Sequence, residues 1–240
     1  MRYELMVTGF PVSARYSRET VEQAFKPLLQ RLAAMARDRR LIVFLAGPPA
    51  VGKSTLAAFL ERLAADMPEL PRVQALGMDG FHYPQSYIET HAVMRNDRQI
   101  PMKRLKGAPE SFDVRALAGR LDRLRHADAP WPVYDRRLHD VLPDAVQADA
   151  PILLVEGNYL LLDAPVWRDL RCDYSVFVTA PTDLLRQRLI ARKMRGGLTR
   201  EQAESFYGEC DGPNVSLCLE HSREADETWR MDETGDLLRK

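Results

Sequence analysis

The sequence lacks the features that mark membrane-spanning, secreted and disordered proteins. Among its 240 residues no apolar run approaches the roughly 18 residues that a membrane-spanning helix needs. The first residues contain no apolar run before a small-residue cleavage site, so no secretory signal is predicted. With 45% hydrophobic and 28% charged residues, the chain can bury a sizeable core, which excludes disorder. We therefore expect a globular protein with no membrane partner.

An excess of one charge and a cysteine framework are missing too. The 34 Lys and Arg residues balance 34 Asp and Glu residues, and a neutral chain has no general attraction to nucleic acid, so we expect no such partner. The three cysteines, Cys172, Cys210 and Cys218, form no C-x-x-C pair and leave one unpaired in any disulfide scheme. This usage fits a reducing compartment, and we expect a cytoplasmic location.

What the chain does contain is a regular alternation of short apolar runs with segments of helical periodicity. Continuous hydrophobicity predicts strands covered on both faces, and strands that alternate with helices indicate βαβ units in a doubly wound parallel sheet. Helical spacing after Ser17 predicts an N-terminal helical extension over residues 1–40, with Pro27 causing a kink or a break. The predicted strands are 41–46, 73–78, 152–155, 174–178 and, more weakly, 227–231, and the predicted helices are 55–65, 114–125 and 182–195.

The run at residues 47–54, GPPAVGKS, matches the phosphate-binding pattern G-x-x-x-x-G-K-[ST] directly after the first predicted strand. Glycines let backbone N–H groups curl round phosphate oxygens, Lys53 reaches the β- and γ-phosphates, and the Ser54 hydroxyl is available to Mg²⁺. The sequence therefore predicts that a nucleoside triphosphate and Mg²⁺ bind here. The predicted nucleotide-binding residues are Gly47, Pro48, Pro49, Ala50, Val51, Gly52, Lys53, Ser54 and Thr55.

Two carboxylates stand at the ends of later strands, where α/β sheets bind ligands. Asp79 follows the second strand and can accept the proton of an attacking hydroxyl as the γ-phosphoryl transfers, although a turn or capping role is the alternative. Glu156 ends a Walker B-like strand and can hold Mg²⁺ together with Ser54 or orient the nucleophile. Its alternative is a strand-end carboxylate bonded to backbone amides. No N-K-x-D and no L-S-G-G-Q-like stretch follows, which leaves a small-molecule kinase.

The helix predicted at 182–195 is rich in cations and is followed by the hinge-like pair Gly196-Gly197. Cations that close over a phosphoryl group stabilise its charge and exclude water, so we predict a lid over residues 182–205. Arg188 and Arg192, one turn apart, are the predicted catalytic cations, and Arg195 could join them. A solvated helix face is the alternative for some of these charges.

Residues 80–150 form an insertion that contains two long polar segments, at 84–108 and 126–150, which we interpret as loops. Because loops of such length are often functional, we interpret the insertion as the part that binds the phosphoryl acceptor. Aromatic and histidine side chains there suit a sugar, a nucleoside or a polyol, and nearby cations suit an acceptor that bears phosphate or carboxylate. Solvated loop charge is the alternative. Asp113 is better explained as a helix N-cap. The aromatic and histidine residues are His82, Tyr83, Tyr134 and His139, and the cations are Lys103, Arg104, Lys106, Arg136 and Arg137.

In this order the motifs resemble the phosphoribulokinase, uridine kinase and bacterial pantothenate kinase family of P-loop kinases, over roughly residues 40–231. In length the chain is similar to bacterial nucleoside-kinase-like proteins described as fructose transport system kinases. The matching blocks beyond the P-loop are 79–84 (DGFHYP), 106–113 (KGAPESFD), 133–134 (VY), 140–143 (DVLP), 156–157 (EG), Asn214 and 222–226 (SREAD).

The resemblance implies one P-loop kinase domain over residues 1–240, with five parallel strands, and phosphoryl transfer from Mg-ATP to an alcohol of a nucleoside, a sugar or a pantothenate-like metabolite. It makes Asp79 the base. Tyr134 and His139 look like the tyrosine and histidine with which uridine kinases bind their nucleoside, whereas Arg136 stands where pantothenate kinases carry histidine. Dimers are common in the family, and the sequence leaves monomer and homodimer open. The acceptor pocket it implies comprises Lys106, Glu110, Tyr134, His139 and Asn214.

A protein of another class can also carry a P-loop. The alternative function is a nucleotide-dependent switch or accessory ATPase that regulates a partner such as a sugar transport system. The sequence disfavours it, because a pure switch needs neither Asp79 nor an aromatic acceptor pocket.

Overall fold

The computed structural model of the chain describes residues 1–95 and 97–239. The strands are β1 (Arg2–Val7), β2 (Phe10–Arg15), β3 (Leu41–Ala46), β4 (Val73–Gly77), β5 (Ala92–Arg95), β6 (Arg98–Pro101), β7 (Ala129–Asp135), β8 (Asp140–Ala148), β9 (Ile152–Gly157), β10 (Tyr174–Thr179), β11 (Glu227–Met231) and β12 (Leu237–Arg239). The α-helices are α1 (Arg18–Thr20), α2 (Lys26–Met35), α3 (Lys53–Ala65), α4 (Gln85–Thr90), α5 (Val114–Leu124), α6 (Thr182–Arg195), α7 (Arg200–Phe206) and α8 (Gly212–Glu220).

Short turns of other helix types complete the architecture. Two π turns, at Val21–Phe25 and Tyr207–Asp211, join α1 to α2 and α7 to α8. Four 3₁₀ turns are at Met78–Phe81, Met102–Leu105, Pro109–Ser111 and Trp167–Asp169. No helix among the described residues has both the length and the apolar composition to cross a membrane.

A six-stranded sheet in the order β12-β11-β10-β3-β9-β4 forms the centre. Five of these strands run parallel, and they are the five predicted from apolar runs, so the α/β fold class is confirmed. The sixth, β12, pairs antiparallel with β11 at one edge and was not predicted. Its three residues are too few to give a periodic signal.

Both faces of the sheet are covered, as continuous hydrophobicity predicts. Every residue of β3 and β9 is buried. Successive side chains of β3 alternate between two apolar clusters: Leu41, Val43 and Leu45 belong to one, and Ile42, Phe44 and Ala46 to the other. The first cluster includes residues of α2 and α3, and the second includes residues of α5. Helices therefore cover both faces of the sheet. Because five strands run parallel, their carboxyl ends lie at one edge of the sheet.

The N-terminal segment differs from the prediction. A helical extension over residues 1–40 is wrong for its first part, where β1 and β2 pair as an antiparallel hairpin. The helical part begins after Ser17, whose side chain accepts from the Thr20 amide as an N-cap. Pro27 lies in the first turn of α2, where a missing N–H costs nothing. The helical pattern after Ser17 is thus confirmed, and the hairpin before it was missed.

The segments interpreted as long loops contain ordered structure. Residues 84–108 include α4 and the hairpin β5–β6, and residues 126–150 form the hairpin β7–β8. Most of β8 is exposed, so it lacks the apolar run that identifies a buried strand. Helix α6 occupies residues 182–195 as predicted. The side chain of Asp113 accepts from the Ala116 amide, which confirms it as the N-cap of α5.

Candidate active site

The phosphate-binding loop lies between β3 and α3 and depends on two glycines with positive φ. Gly47 has φ +152°, and a Cβ added there would collide with the Val178 carbonyl of β10. Gly52, with φ +97°, is the N-cap of α3. The backbone therefore curls away from the sheet and directs the N-terminus of α3 into the open space, as an anion-binding loop requires.

Lys53 is the first residue of α3 and only 5% of it is exposed. Its ammonium donates to the Pro48 carbonyl at 2.9 Å and to Asn158 Oδ1 at 2.8 Å. Burial lowers the pKa of Lys53, and the neighbouring Glu156 opposes that shift. A buried ammonium held by two neutral oxygens has capacity for a stronger acceptor such as a phosphate oxygen.

Ser54 and Glu156 meet beside the lysine. The Ser54 hydroxyl donates to Glu156 Oε1 at 2.7 Å, and the carboxylate is 9% exposed at the end of β9. Burial raises the pKa of Glu156, while Lys53 and the Ser54 hydrogen bond lower it. Oxygen donors of this kind fit a hard divalent cation, whose charge would offset the desolvation of the carboxylate. The backbone-amide alternative for Glu156 has no support here, because its hydrogen bond comes from Ser54.

Asp79 projects from the 3₁₀ turn that follows β4. Gly80 permits this turn to touch β7, because a Cβ on Gly80 would collide with the Pro132 carbonyl. The Trp131 indole N–H donates to the Gly77 carbonyl at 2.9 Å and fixes the same junction. Across it, the Arg136 guanidinium lies 3.5 Å from the Asp79 carboxylate. The sheet edge and the β7–β8 hairpin thus together position the predicted base.

Side chains of the insertion build one wall next to Asp79. The His82 ring stacks on Phe112 with centroids 3.8 Å apart and lies 5.3 Å from the Tyr134 ring. Burial lowers the pKa of His82. The Lys106 ammonium lies 5.2 Å from the centre of the Tyr134 ring and donates to the His139 carbonyl at 3.1 Å. His82, Lys106, Tyr134 and His139 are therefore brought together, as predicted.

A cationic wall comes from α6 and the segment that returns from it. Arg192 and Lys193 line the cleft, as do Asp211 and Asn214 from the turn and helix that follow α7. Asp211 is 9% exposed, and its Oδ2 is buried without a hydrogen-bond partner in the described part of the chain. Burial raises the pKa of Asp211. Asn214 and Arg192 thus lie at the predicted site.

Gly47, Pro48 and Val51 of the predicted nucleotide-binding residues do not line the main cleft. Three of the predicted catalytic and acceptor-binding residues also lie elsewhere. Arg188 points behind the phosphate-binding loop, where it approaches the Ala50 carbonyl at 3.4 Å and the Met231 sulfur at 3.0 Å. One helical turn separates it from Arg192, yet Arg192 lines the cleft, whereas Arg188 contacts the loop and β11 instead. Tyr83 stacks on Tyr87 with ring centroids 4.6 Å apart, and Glu110 pairs with Arg95 at 3.2 Å. None of these three lines the main cleft.

The main cleft has a volume of about 630 Å³ and joins the phosphate-binding loop to the insertion. Sequence reasoning missed Asn158, Asp211 and Lys193 as lining residues, and it missed the β1–β2 hairpin, whose tip supplies Thr8 and Phe10. A polar residue directly after a Walker B-like strand could have indicated Asn158. The hairpin gave no such signal, because its position depends on packing against α3.

Comparisons with known proteins find relatives in sequence and in structure. No protein-family profile matches the chain. It is 46% identical over 240 residues to the uncharacterized protein YggC of Escherichia coli (strain K12), with 98% of each chain covered. It is 31% identical over 213 residues to the pantothenate kinase of Citrobacter koseri, which covers 83% of this chain and 63% of that enzyme. The chain therefore spans less than two thirds of that enzyme.

Among solved structures, the fold is similar to the "putative fructose transport system kinase" from Silicibacter sp. TM1040. The TM-score is 0.71 at 29% sequence identity, and the match covers 82% of this chain and 98% of that chain. The fold is thus shared over most of both chains.

Proposed function

The chain belongs to the phosphoribulokinase, uridine kinase and bacterial pantothenate kinase family of P-loop kinases, and we propose that it transfers the γ-phosphoryl group of ATP to a hydroxyl of a small metabolite. The acceptor class that fits the cleft is a nucleoside, a sugar or a pantothenate-like compound. The observation that carries the proposal is the presence of Asp79 in the same cleft as Lys53, Ser54 and Glu156.

The loop from Gly47 to Thr55 would hold the phosphates of ATP, and its residues fit that role. The positive φ of Gly47 and Gly52 lets the loop turn its backbone N–H groups toward a polyphosphate. The buried Lys53 ammonium is a further donor. Ser54 and Glu156 are the oxygen donors that would hold Mg²⁺. When bound, ATP supplies the phosphoryl group and Mg²⁺ neutralises part of its charge.

Asp79 would accept the proton of the attacking hydroxyl. A general base must lie within hydrogen-bond reach of that hydroxyl, and the wall made by His82, Lys106 and Tyr134 is where an acceptor could place it. The aromatic faces of His82 and Tyr134 suit the apolar side of a sugar or nucleoside, and Lys106 and His139 suit its polar groups. Asn214 would contact the same ligand from α8.

Lys53 and Arg192 would stabilise the charge that spreads over the transferring phosphoryl group. Both line the cleft: Lys53 lies at the start of α3, and Arg192 lies on α6, within the predicted lid at 182–205. Arg188 is better suited to supporting the loop, because its guanidinium faces the Ala50 carbonyl.

The test is ADP formation from Mg-ATP by the purified protein across nucleosides, sugars, sugar phosphates and pantothenate, with mass spectrometry of the phosphorylated product. At least one acceptor should raise turnover well above background. Asp79→Asn should lower that turnover by roughly 10² to 10⁴ and leave ATP binding nearly unchanged. Asp122→Asn, the same change at an exposed position on α5, is the matched control.

Two outcomes would overturn the proposal. One is equal turnover by Asp79→Asn and the unaltered protein, which would remove Asp79 from its role. The other is tight ATP binding and hydrolysis with no phosphorylated product, which would favour the switch or accessory ATPase.

A further inference from the structure

The β1–β2 hairpin ends at the mouth of the acceptor region rather than on a remote surface. The hairpin packs on α3, where the Tyr3 ring lies 4.9 Å from Phe59 and the Tyr3 hydroxyl donates to Asp66 at 2.5 Å. Its two-residue turn, Thr8-Gly9, projects beyond this anchor. The tip is thus held by the same helix that begins at Lys53, so its distance from the phosphate-binding loop is fixed.

Two smaller cavities lie between this tip and the rest of the site. One, of about 240 Å³, separates Thr8 and Phe10 from Tyr134 and Arg136 of the facing β7–β8 hairpin. The other, of about 190 Å³, extends from Thr8 to Asp79, Ser54 and Glu156. Thr8, Tyr134 and Arg136 line both of them and the main cleft as well. The space between the two hairpins is therefore continuous with the predicted base.

Thr8 holds a strained conformation at this place. Its φ is +49° and that of Gly9 is +83°. Two-residue hairpin turns require such values, but a β-branched residue adopts them only with backbone strain. Glycine or asparagine would form the turn with less strain.

Arg136 is the cation that this space exposes. Its ion pair with Asp79 is long, at 3.5 Å, and within residues 1–95 and 97–239 no other hydrogen bond or ion pair engages its guanidinium. Both side chains are 38% exposed. Lys106, by contrast, already donates to Gln85 Oε1 at 2.6 Å and to the His139 carbonyl. Arg136 can therefore exchange Asp79 for the anionic group of a ligand without breaking a buried contact.

We propose that the acceptor carries an anionic group of its own, a phosphate or a carboxylate, which binds Arg136 between the two hairpins while its hydroxyl reaches Asp79. This inference rests on the kinase function proposed above. An arginine binds either anion through paired N–H donors. The site would therefore select the property that phosphate and carboxylate share, a negative charge on two or more acceptor oxygens. Thr8 and Phe10 line the same space on the side opposite Arg136.

The experiment is a binding titration on the full chain with its nucleotide site saturated by Mg²⁺ and a non-hydrolysable ATP analogue, so that anions cannot enter the phosphate-binding loop. The probes are matched trios with a common carbon skeleton: glycerol, glycerol 3-phosphate and glycerate; ribose, ribose 5-phosphate and ribonate; glucose, glucose 6-phosphate and gluconate. In at least one trio, an anionic member should bind about tenfold or more tightly than the neutral member. Whether that member is the phosphate or the carboxylate identifies the source of the anion.

Three variants locate the effect. Arg136→Gln should abolish the preference for the anionic member. Arg72→Gln, which removes the same charge from the distant surface pair with Asp149, should preserve it. Phe10→Ala, at a residue 45% exposed, should raise the acceptor KM more than it lowers kcat and leave the KM for ATP unchanged.

Equal binding of neutral and anionic members, no binding by any trio, or an unchanged preference in Arg136→Gln would overturn the inference. Turnover with Mg-ATP on the same trios separates this result from the proposed function. Phosphorylation of neutral acceptors alone would uphold the kinase and overturn the anion site. Anion binding at Arg136 without any phosphorylation would uphold the anion site and overturn the kinase.

Discussion

The Lys53 ammonium and the Asn158 side chain are joined by a 2.8 Å hydrogen bond that ties the phosphate-binding loop to the residue after β9. The second partner of Lys53, the Pro48 carbonyl, belongs to the loop itself. Asn158 is therefore the contact that fixes the position of the Lys53 ammonium relative to the end of β9, where Glu156 also lies.

Asn158→Ala should destabilise the nucleotide-free protein by about 1 to 3 kcal/mol, because it leaves a buried charged donor with one acceptor fewer. A nucleotide phosphate can replace that acceptor, so the loss should shrink when Mg²⁺ and a non-hydrolysable ATP analogue are present. Urea denaturation with and without the analogue measures both values. Asn214→Ala, in the same cleft, is the control. An equal loss under both conditions would contradict the role of Asn158.

Glu156 should make stability fall as pH rises above the ordinary range of a carboxyl group. Burial raises the pKa of Glu156 in the folded protein above 4.5. Between the pKa of Glu156 in the unfolded protein and its higher pKa in the folded protein, the folded state binds more protons than the unfolded state. The free energy of unfolding therefore decreases as the pH rises through that window. Glu156→Gln cannot titrate and should reduce the slope by up to about 1.4 kcal/mol per pH unit.

Denaturation curves from pH 4 upward, about half a unit apart, measure that slope. Glu224→Gln alters an exposed carboxylate and should leave it unchanged. Identical slopes for Glu156→Gln and the unaltered protein would contradict the burial of a charged carboxylate at this site.

Gly80→Ala should separate the turn that carries Asp79 from β7. The added Cβ would collide with the Pro132 carbonyl, and neither backbone can move without the other. We expect a loss of more than about 2 kcal/mol together with reduced turnover. Gly119→Ala is the matched control: nothing lies within 4 Å of its Cβ in α5, so it should stabilise the protein by about 0.5 to 1 kcal/mol. Similar effects of both changes on the free energy of unfolding would refute the close approach.

Substitutions of the two arginines of α6, Arg188 and Arg192, should change different kinetic constants. Arg192→Met removes a cation from the cleft and should lower kcat by roughly 10² to 10³. Arg188→Met removes a contact with the Ala50 carbonyl and should instead raise the KM for ATP while kcat changes little. Steady-state kinetics with ATP and the identified acceptor distinguish these effects, and each variant is the control for the other. A larger loss of kcat in Arg188→Met would reverse the assignment.

Much of the fold could be predicted from local pattern. The five parallel strands are short apolar runs, and Ser17 and Asp113 precede helical periodicity as N-caps do. The hairpins β1–β2 and β7–β8 could not be predicted in this way. Their strands are partly exposed, so they lack a continuous apolar run, and their positions depend on packing against distant helices and turns.

Within the candidate site, residue type and spacing along one segment were sufficient for the phosphate-binding loop and for Asp79 and Glu156, because a strand end fixes where its next residue lies. The lid arginines show the limit of spacing. Arg188 and Arg192 share a helical face in the sequence, yet Arg188 contacts the Ala50 carbonyl and the Met231 sulfur, whereas Arg192 lines the cleft.

The sequence alone determined the phosphate-binding loop, the order of the parallel strands along the chain and the two strand-end carboxylates, since each depends on neighbouring residues and on one strand's direction. Only the tertiary structure decided that Arg136 meets Asp79, that Asn158 holds Lys53 and that the tip of the N-terminal hairpin borders the cleft. These contacts join segments 57, 105 and about 70 residues apart, and only the packing of separate elements brings such segments together.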